Sequence, residues 1–212
     1  MPNPSDSNIS NVKKLLAANR SEIATRIFRG ATELGLRTVA IYAEEDRFCT
    51  HRFKADEAYR IGLGLGPVAA YLNIDEIMRV AKMADVDAIH PGYGLLSENP
   101  SLAEACENAG ITFIGPSSKI MRLLGDKASA RRIAIKANVP VIPATEILPR
   151  DLSKATKMAK KVGFPLMLKA SWGGGGRGMR EIESSKELML KIKEGRREAE
   201  LAFGNSDGYL EK

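Results

Sequence analysis

From residue 12 to residue 114 the chain alternates short apolar runs with stretches whose apolar residues recur at helical spacing, and this alternation restricts the fold more than any single motif. Parallel strands need a crossover of a dozen or more residues, usually a helix, and these segments have that spacing. Residues 15–18 form the first apolar run, and Asn19-Arg20-Ser21-Glu22 then reads as an Asn N-cap with Glu at the third helical position. The predicted helix carries Ile23, Ile27, Ala31 and Leu34 on one face and stops at Gly35. Strands are expected at 38–42 and 58–61, the second ahead of the turn-rich stretch 62–67. Asn73 with Glu76 repeats the capping pattern, and Ile74, Ile77, Met78 and Ala81 form the stripe to be buried. A strand at 88–90 ends in Pro91-Gly92-Tyr93-Gly94. Asn99 caps a helix with Pro100 at its first position and Gly110 just past its end, and 112–114 closes the series. The expected fold is α/β, a Rossmann-like parallel sheet with flanking helices.

The pattern changes near Pro116. Two helices follow, broken at Gly125-Asp126, and the second runs to about Asn138 before Val139-Pro140 forces extension. The expected organisation is a disordered tail at 1–11, a first domain at 12–116, a helical linker at 117–139 and a small α+β region at 140–212. In that last region we expect a short strand near Val141 and a helix with Leu152, Ala155, Ala159 and Val162 inward. Strands at 165–171 and 179–182 flank a glycine run and should pair as an antiparallel hairpin. A long helix from Ser184 and a final strand at Tyr209-Leu210 complete the region. The sequence stops at Lys212 without a capping helix, so we expect a truncated chain.

Composition narrows the function classes. With 44% apolar and 27% charged residues among 212, disordered, collagenous and coiled-coil readings are excluded. No apolar run approaches the roughly 18 residues of a membrane span, and the opening residues carry no secretory or organelle address. Cys49 and Cys106 make no metal or redox spacing and suit a reducing compartment, so a cytoplasmic protein is expected. The net charge of +6 invites a nucleic-acid reading. Only 6% of residues are aromatic, however, and the basic residues alternate with acids along helical faces. A solvated surface is the better account, with a few cations left to meet a small phosphate ligand.

The sharpest motif is Gly173-Gly174-Gly175-Gly176-Arg177-Gly178. It contains G-x-G-x-x-G, but a dinucleotide fingerprint must open a helix, whereas Met179-Arg180-Glu181-Ile182 continues as a strand. It is not a Walker loop either, since Met179-Arg180 stands where Lys-Ser/Thr is required. Consecutive glycines can still lay backbone N–H groups against phosphate oxygens, because no Cβ blocks the approach; a plain hairpin tip is the alternative. Lys169 precedes the run in an otherwise apolar strand, and period 2 puts it on one face with Met167 and Ser171. A lysine there needs an anionic partner, unless it guards a sheet edge.

The stretch Leu168-Lys169-Ala170-Ser171-Trp172 followed by the glycine run and Met179-Arg180 resembles the glycine-loop hairpin of biotin carboxylases, members of the ATP-grasp superfamily. Ala18-Asn19-Arg20-Ser21-Glu22-Ile23-Ala24, the stretch 89–99 around His90-Pro91-Gly92-Tyr93-Gly94, and Gly125-Asp126-Lys127 resemble the same family in the same order. Within it, His51-Arg52-Phe53-Lys54-Ala55-Asp56-Glu57-Ala58, Pro143-Ala144-Thr145-Glu146 and Tyr209-Leu210-Glu211-Lys212 are most similar to the bacterial pyruvate carboxylase branch.

The resemblance implies a ligase in which ATP activates bicarbonate and biotin is carboxylated, the carboxyl group passing on to pyruvate. By resemblance, Lys127 and Lys169 contact ATP phosphates, Gly174, Gly175 and Gly176 offer amides to them, and Met179 packs on the adenine. Glu211 meets the adenine amino group, with the Lys212 backbone in the hinge, and Tyr93 faces the biotin end of the cleft. His90 reads as a satisfied strand-end histidine, and Arg29 with Glu33 as a surface pair on a helix of the kind that contributes to family dimers, so a homo-oligomer is expected. The resemblance puts no catalytic residue and no Mg2+ ligand within these residues, and biotin on a carrier domain elsewhere. The chain alone is therefore expected to be inactive and to bind ATP no better than about millimolar. A non-catalytic module, or the biotin carboxylase of an acyl-CoA carboxylase, stays open as an alternative.

Overall fold

The computed structural model describes residues 12–171 and 179–212, so the tail at 1–11 lies outside the described residues. The chain divides into two compact units, Met1–Arg122 and Leu123–Lys212.

The first unit is built on five parallel strands, β1 (Lys14–Ala17), β2 (Arg37–Tyr42), β3 (Glu57–Arg60), β4 (Ala88–His90) and β5 (Thr112–Phe113), in the order β3-β2-β1-β4-β5. Leu15 aligns with Thr38 on one side and Ala88 on the other, which fixes the register of the central strand. Helices α1 (Ser21–Glu33), α2 (Pro67–Tyr71), α3 (Ile74–Met83) and α4 (Pro100–Ala109) supply the crossovers. Alternation along the strands separates two packing faces. Leu16, Val39, Ile41 and Ile89 pack with Ile77 and Val80 of α3 and Leu102 and Cys106 of α4. Ala17 and Ala40 pack with Ala24 and Phe28 of α1. Each fully buried Ile or Leu stabilises this sheet by about 1.5–3 kcal/mol.

The helix ends at α3 and α4 form as their sequences predict. Asn73 accepts the Glu76 N–H at 3.1 Å, Asn99 accepts the Ser101 N–H at 2.8 Å, and Gly110 takes the left-handed conformation after α4. The buried face of α1 differs from the expected stripe. It consists of Ala24, Phe28 and Ala31, whereas Leu34 is 78% exposed. The sheet under α1 is paved with alanines, and that shallow floor admits the Phe28 ring, turning Ile23 and Ile27 towards the rim.

A further helix, α5 (Ser118–Gly125), leads into the second unit, which holds α6 (Lys127–Lys136), α7 (Leu152–Val162) and α8 (Leu188–Phe203). Its sheet has three strands, β6 (Leu166–Ala170), β7 (Arg180–Ile182) and β8 (Gly208–Glu211), with β6 central and antiparallel to both neighbours. Leu166, Leu168, Ile182 and Leu210 face Ala155 and Ala159 of α7 and Leu188 and Ile192 of α8. Two expectations are corrected here. No strand forms near Val141: Pro140 and Pro143 cannot donate to a ladder, and only Ala144 makes an isolated bridge, to Glu211. The last long helix starts at Leu188 rather than Ser184, because the Glu187 carboxylate takes the Glu183 N–H and holds the intervening residues in a turn.

Candidate functional site

Within the second unit the chemistry gathers on one face of β6. Leu166 and Leu168 point into the core, so period 2 sends Met167, Lys169 and Ser171 to the other side. Lys169 sits on the central strand, which removes the edge-guarding role. Its Nζ pairs with the carboxylate of Glu211 on β8, and the two side chains are 30% and 14% exposed. Beside them Tyr209 is buried, and burial followed by the Glu211 charge pushes its phenol up, so it stays neutral.

Ser171, at the end of β6, is 1% exposed and fully engaged. Its N–H donates to Asp207 O at 2.8 Å and its carbonyl accepts the Lys127 N–H at 3.2 Å. Its hydroxyl donates to Asp126, whose side chain also accepts the Ser129 N–H at 2.9 Å as the N-cap of α6. Burial pushes the Asp126 carboxyl up, but the bonds from Ser129 and Ser171 outweigh it and hold it below its ordinary value. The start of the helix that carries Lys127 is thus tied to the strand that carries Lys169.

Of the remaining expected ligands, Met179 directly precedes β7 and Lys212 directly follows β8, the two strands that flank β6. Met179 is 39% exposed just ahead of β7. Lys212 donates its backbone N–H to Pro143 O at 2.9 Å and its ammonium to the carbonyls of Gly163 and Phe164. Gly174, Gly175 and Gly176 lie outside the described residues.

Tyr93 belongs to the first unit, where it is 61% exposed with its hydroxyl 3.4 Å from Glu22 Oε2. The loop that carries it follows β4, and β1 and β4 flank the point where strand order reverses, the usual ligand crevice of such sheets. Here Asn19 fills that crevice. Its Nδ2 donates to Pro91 O at 2.7 Å and Tyr93 O at 3.0 Å, so the expected cap is corrected: Arg20 is the N-cap of α1 and makes no side-chain cap bond. Gly92 must be glycine, because its φ is +68° and a Cβ would lie 2.6 Å from Ile23 Cγ2 and 2.8 Å from Asn19 Nδ2. His90 Nδ1 accepts the Gly92 N–H at 2.9 Å, and burial lowers its pKa, so it is a neutral structural acceptor. Arg29 and Glu33 pair at 3.1 Å on the exposed side of α1.

Two groupings escaped the sequence reading. Asp126 with Ser171 had one local signal, an Asp directly before a helix. Buried Asp46, which accepts from Arg20, Tyr71 and Cys49, had none, since its partners are scattered along the chain.

Comparison with known proteins follows the same division. The family described as biotin carboxylase, N-terminal domain, matches residues 11–121, and that described as carbamoyl-phosphate synthase L chain, ATP binding domain, matches 126–212. Human mitochondrial pyruvate carboxylase is 53% identical over 95% of this chain, and so is the Staphylococcus aureus pyruvate carboxylase. The chain spans only 17% and 18% of the length of those two relatives. Among solved structures, the biotin carboxylase domain dimer of Hydrogenobacter thermophilus 2-oxoglutarate carboxylase, in complex with MgADP, ADP and bicarbonate, matches with a TM-score of 0.90 at 46% identity. That match covers 95% of this chain and 44% of the other. A Rhizobium etli pyruvate carboxylase variant with its allosteric activator acetyl coenzyme A gives 0.86 at 57% identity, over 95% of this chain and 18% of that one.

Proposed function

The chain belongs to the biotin carboxylase family, and from that premise we propose that it forms part of a biotin-dependent carboxylase of the pyruvate carboxylase type. Such a ligase carboxylates biotin with bicarbonate at the expense of ATP and passes the carboxyl group to pyruvate, giving oxaloacetate. The observation that carries the reading is Lys169. It is a half-buried cation on a central strand, beside a buried tyrosine and directly ahead of a glycine run, in the unit matched by an ATP-binding domain.

In this reading Lys169 and Lys127 balance the charge of the ATP phosphates, and the backbone amides of Gly174, Gly175 and Gly176 are further donors. Met179 offers a polarisable apolar surface to the adenine, and the Lys212 backbone lies in the hinge. Glu211 can serve two donors, since a carboxylate has about four acceptor positions: Lys169 takes one and the adenine amino group another. Among the described residues no group of three or more His, Cys, Asp or Glu could hold a metal ion. In the same reading Tyr93, on the loop after β4, meets biotin, which arrives on a carrier domain.

Homo-oligomer formation through the first unit is supported by an apolar groove of about 870 Å³ along α1, lined by Ile23, Ile27, Leu34 and Ile114 among others. A cytoplasmic setting is supported by two free cysteines, and among the described residues no helix is long and apolar enough to cross a membrane.

Amide chemical shifts of the 15N-labelled chain test the nucleotide site. ATP should move the signals of Lys169, Tyr209 and Glu211, and inorganic tripolyphosphate should compete. Shifts confined to the lysines on the outer face of α7 would refute the assignment.

A further inference from the structure

The tie between α6 and β6 assigns a task to a residue that has no contact with a ligand in the reading above. We propose that Asp126 is a positioning residue for phosphate binding, acting as a hydrogen-bond hub that holds Lys127 at a fixed place relative to Lys169. The proposal rests on the reading of those two lysines as phosphate ligands.

Three observations carry it. Asp126 caps α6 by accepting the N–H groups of Ala128 and Ser129, which fixes the first turn of the helix where Lys127 stands. The same carboxylate accepts the Ser171 hydroxyl, reaching across to the end of β6. The Lys127 N–H donates to the Ser171 carbonyl, closing the loop with a second bond between the same two segments. Ser171 is itself held by Asp207 and is buried, so it is a firm anchor. Lys169 lies two residues before Ser171 on the same face of β6. Two cations that must meet one polyphosphate gain from being fixed beforehand, because the ordering cost is then not charged to binding. The negative charge of Asp126 does not serve this end, since beside an anionic ligand it is mildly repulsive. Its oxygens as acceptors are what matter.

Separating a positioning role from ordinary helix capping requires a matched control, and α7 supplies one. Asp151 caps it by accepting the N–H groups of Ser153 and Lys154, and its further bond, from the Ser153 side chain, stays within the same turn. Asp126→Ala, Asp126→Asn and Asp151→Ala are compared in the 212-residue chain by melting temperature, by hydrogen exchange of the Lys127 amide, and by ATP titration. Both alanine variants should lower the melting temperature, Asp126→Ala the more, because it also leaves the buried Ser171 hydroxyl without its acceptor. Only Asp126→Ala should speed Lys127 exchange, roughly tenfold, and weaken ATP binding roughly five- to tenfold. Asp126→Asn keeps one acceptor oxygen, enough for the Ser171 hydroxyl and the Ala128 N–H that share Oδ1 but not for the Ser129 N–H on Oδ2 as well, so it should recover part of both. The proposal is overturned if Asp126→Ala affects exchange and ATP no more than Asp151→Ala does, or if Asp126→Asn recovers neither. A wild-type chain with no saturable response to ATP would instead refute the nucleotide reading and the functional half of the proposal. The exchange data would then decide separately whether Asp126 fastens α6 to β6.

Discussion

Removing the Asp46 carboxylate should destabilise the first unit far more than any surface change. Asp46 is 3% exposed and accepts from Arg20 Nε and Nη2 at 2.5 Å, from the Tyr71 hydroxyl at 2.8 Å and from Cys49 Sγ at 3.1 Å. In Asp46→Ala, Arg20 is exposed enough to be rehydrated, so its loss is partly recovered. The Tyr71 hydroxyl is not, because the residue is 1% exposed; it keeps only the Ala43 N–H as a partner and its own proton is orphaned. A buried donor left unpaired costs about 1–3 kcal/mol and a charge-assisted bond contributes about 1.5–3 kcal/mol. After allowing for Arg20, the expected loss is about 2–4 kcal/mol, or a fall of roughly 10–20 °C in the melting temperature of a unit this size. The sign with pH is fixed as well. The Arg20 bond holds the Asp46 carboxyl well below its ordinary value, so its contribution is complete above about pH 4 and is lost as the pH falls towards the folded-state value. The gap between wild type and Asp46→Ala, followed by circular dichroism, should be full at pH 7 and narrow below about pH 4. Cys49, whose thiol is pushed up chiefly by its bond to Asp46, should alkylate faster in the variant at pH 8. A variant that melts within about 2 °C of wild type at pH 7 would refute the reasoning.

Two further outcomes concern the same unit. Gly92→Ala should cost about 3–5 kcal/mol, since it adds left-handed strain to a clash with Ile23 and with the Asn19 amide that holds the Tyr93 loop; urea denaturation measures it, and a loss below about 1 kcal/mol would refute the close packing. Burial lowers the pKa of both His51 and His90, the two histidines of the chain. Their neutral forms are favoured in the fold, so stability is complete above the unfolded value of about 6.5 and falls as the pH drops below it. His51→Gln should reduce the melting-temperature slope between about pH 6.5 and 5, and an unchanged slope would contradict this.

What was legible in the sequence was whatever depends on near neighbours. The strands at 88–90 and 166–170, the Asn73 and Asn99 caps and the glycine stop at Gly110 all follow from period, cap and turn chemistry acting within a few residues. Asn19 has the same local signature as Asn73 but not the same fate, because its amide meets carbonyls 72 and 74 residues away that no local pattern announces. The buried face of α1 departs from its own periodicity for a related reason: the alanine floor belongs to other strands, and it decides that Phe28 goes inward. At the candidate site, the face of β6 that carries Lys169 was readable from alternation, while Glu211 as its counter-ion depended on β8 folding back beside β6.

Adenine nucleotide binding through Lys169 is tested most directly by titrating the 212-residue chain with ATP while following the fluorescence of its single Trp, Trp172, three residues beyond Lys169. With two lysines as the main cations, saturation should come at about millimolar ATP, or some 4 kcal/mol. It should weaken with added salt because the contacts are partly exposed, and vanish in Lys169→Ala. Unchanged binding in Lys169→Ala, or a saturable response to ATP that is indifferent to salt, would contradict the assignment of Lys169 to the phosphates.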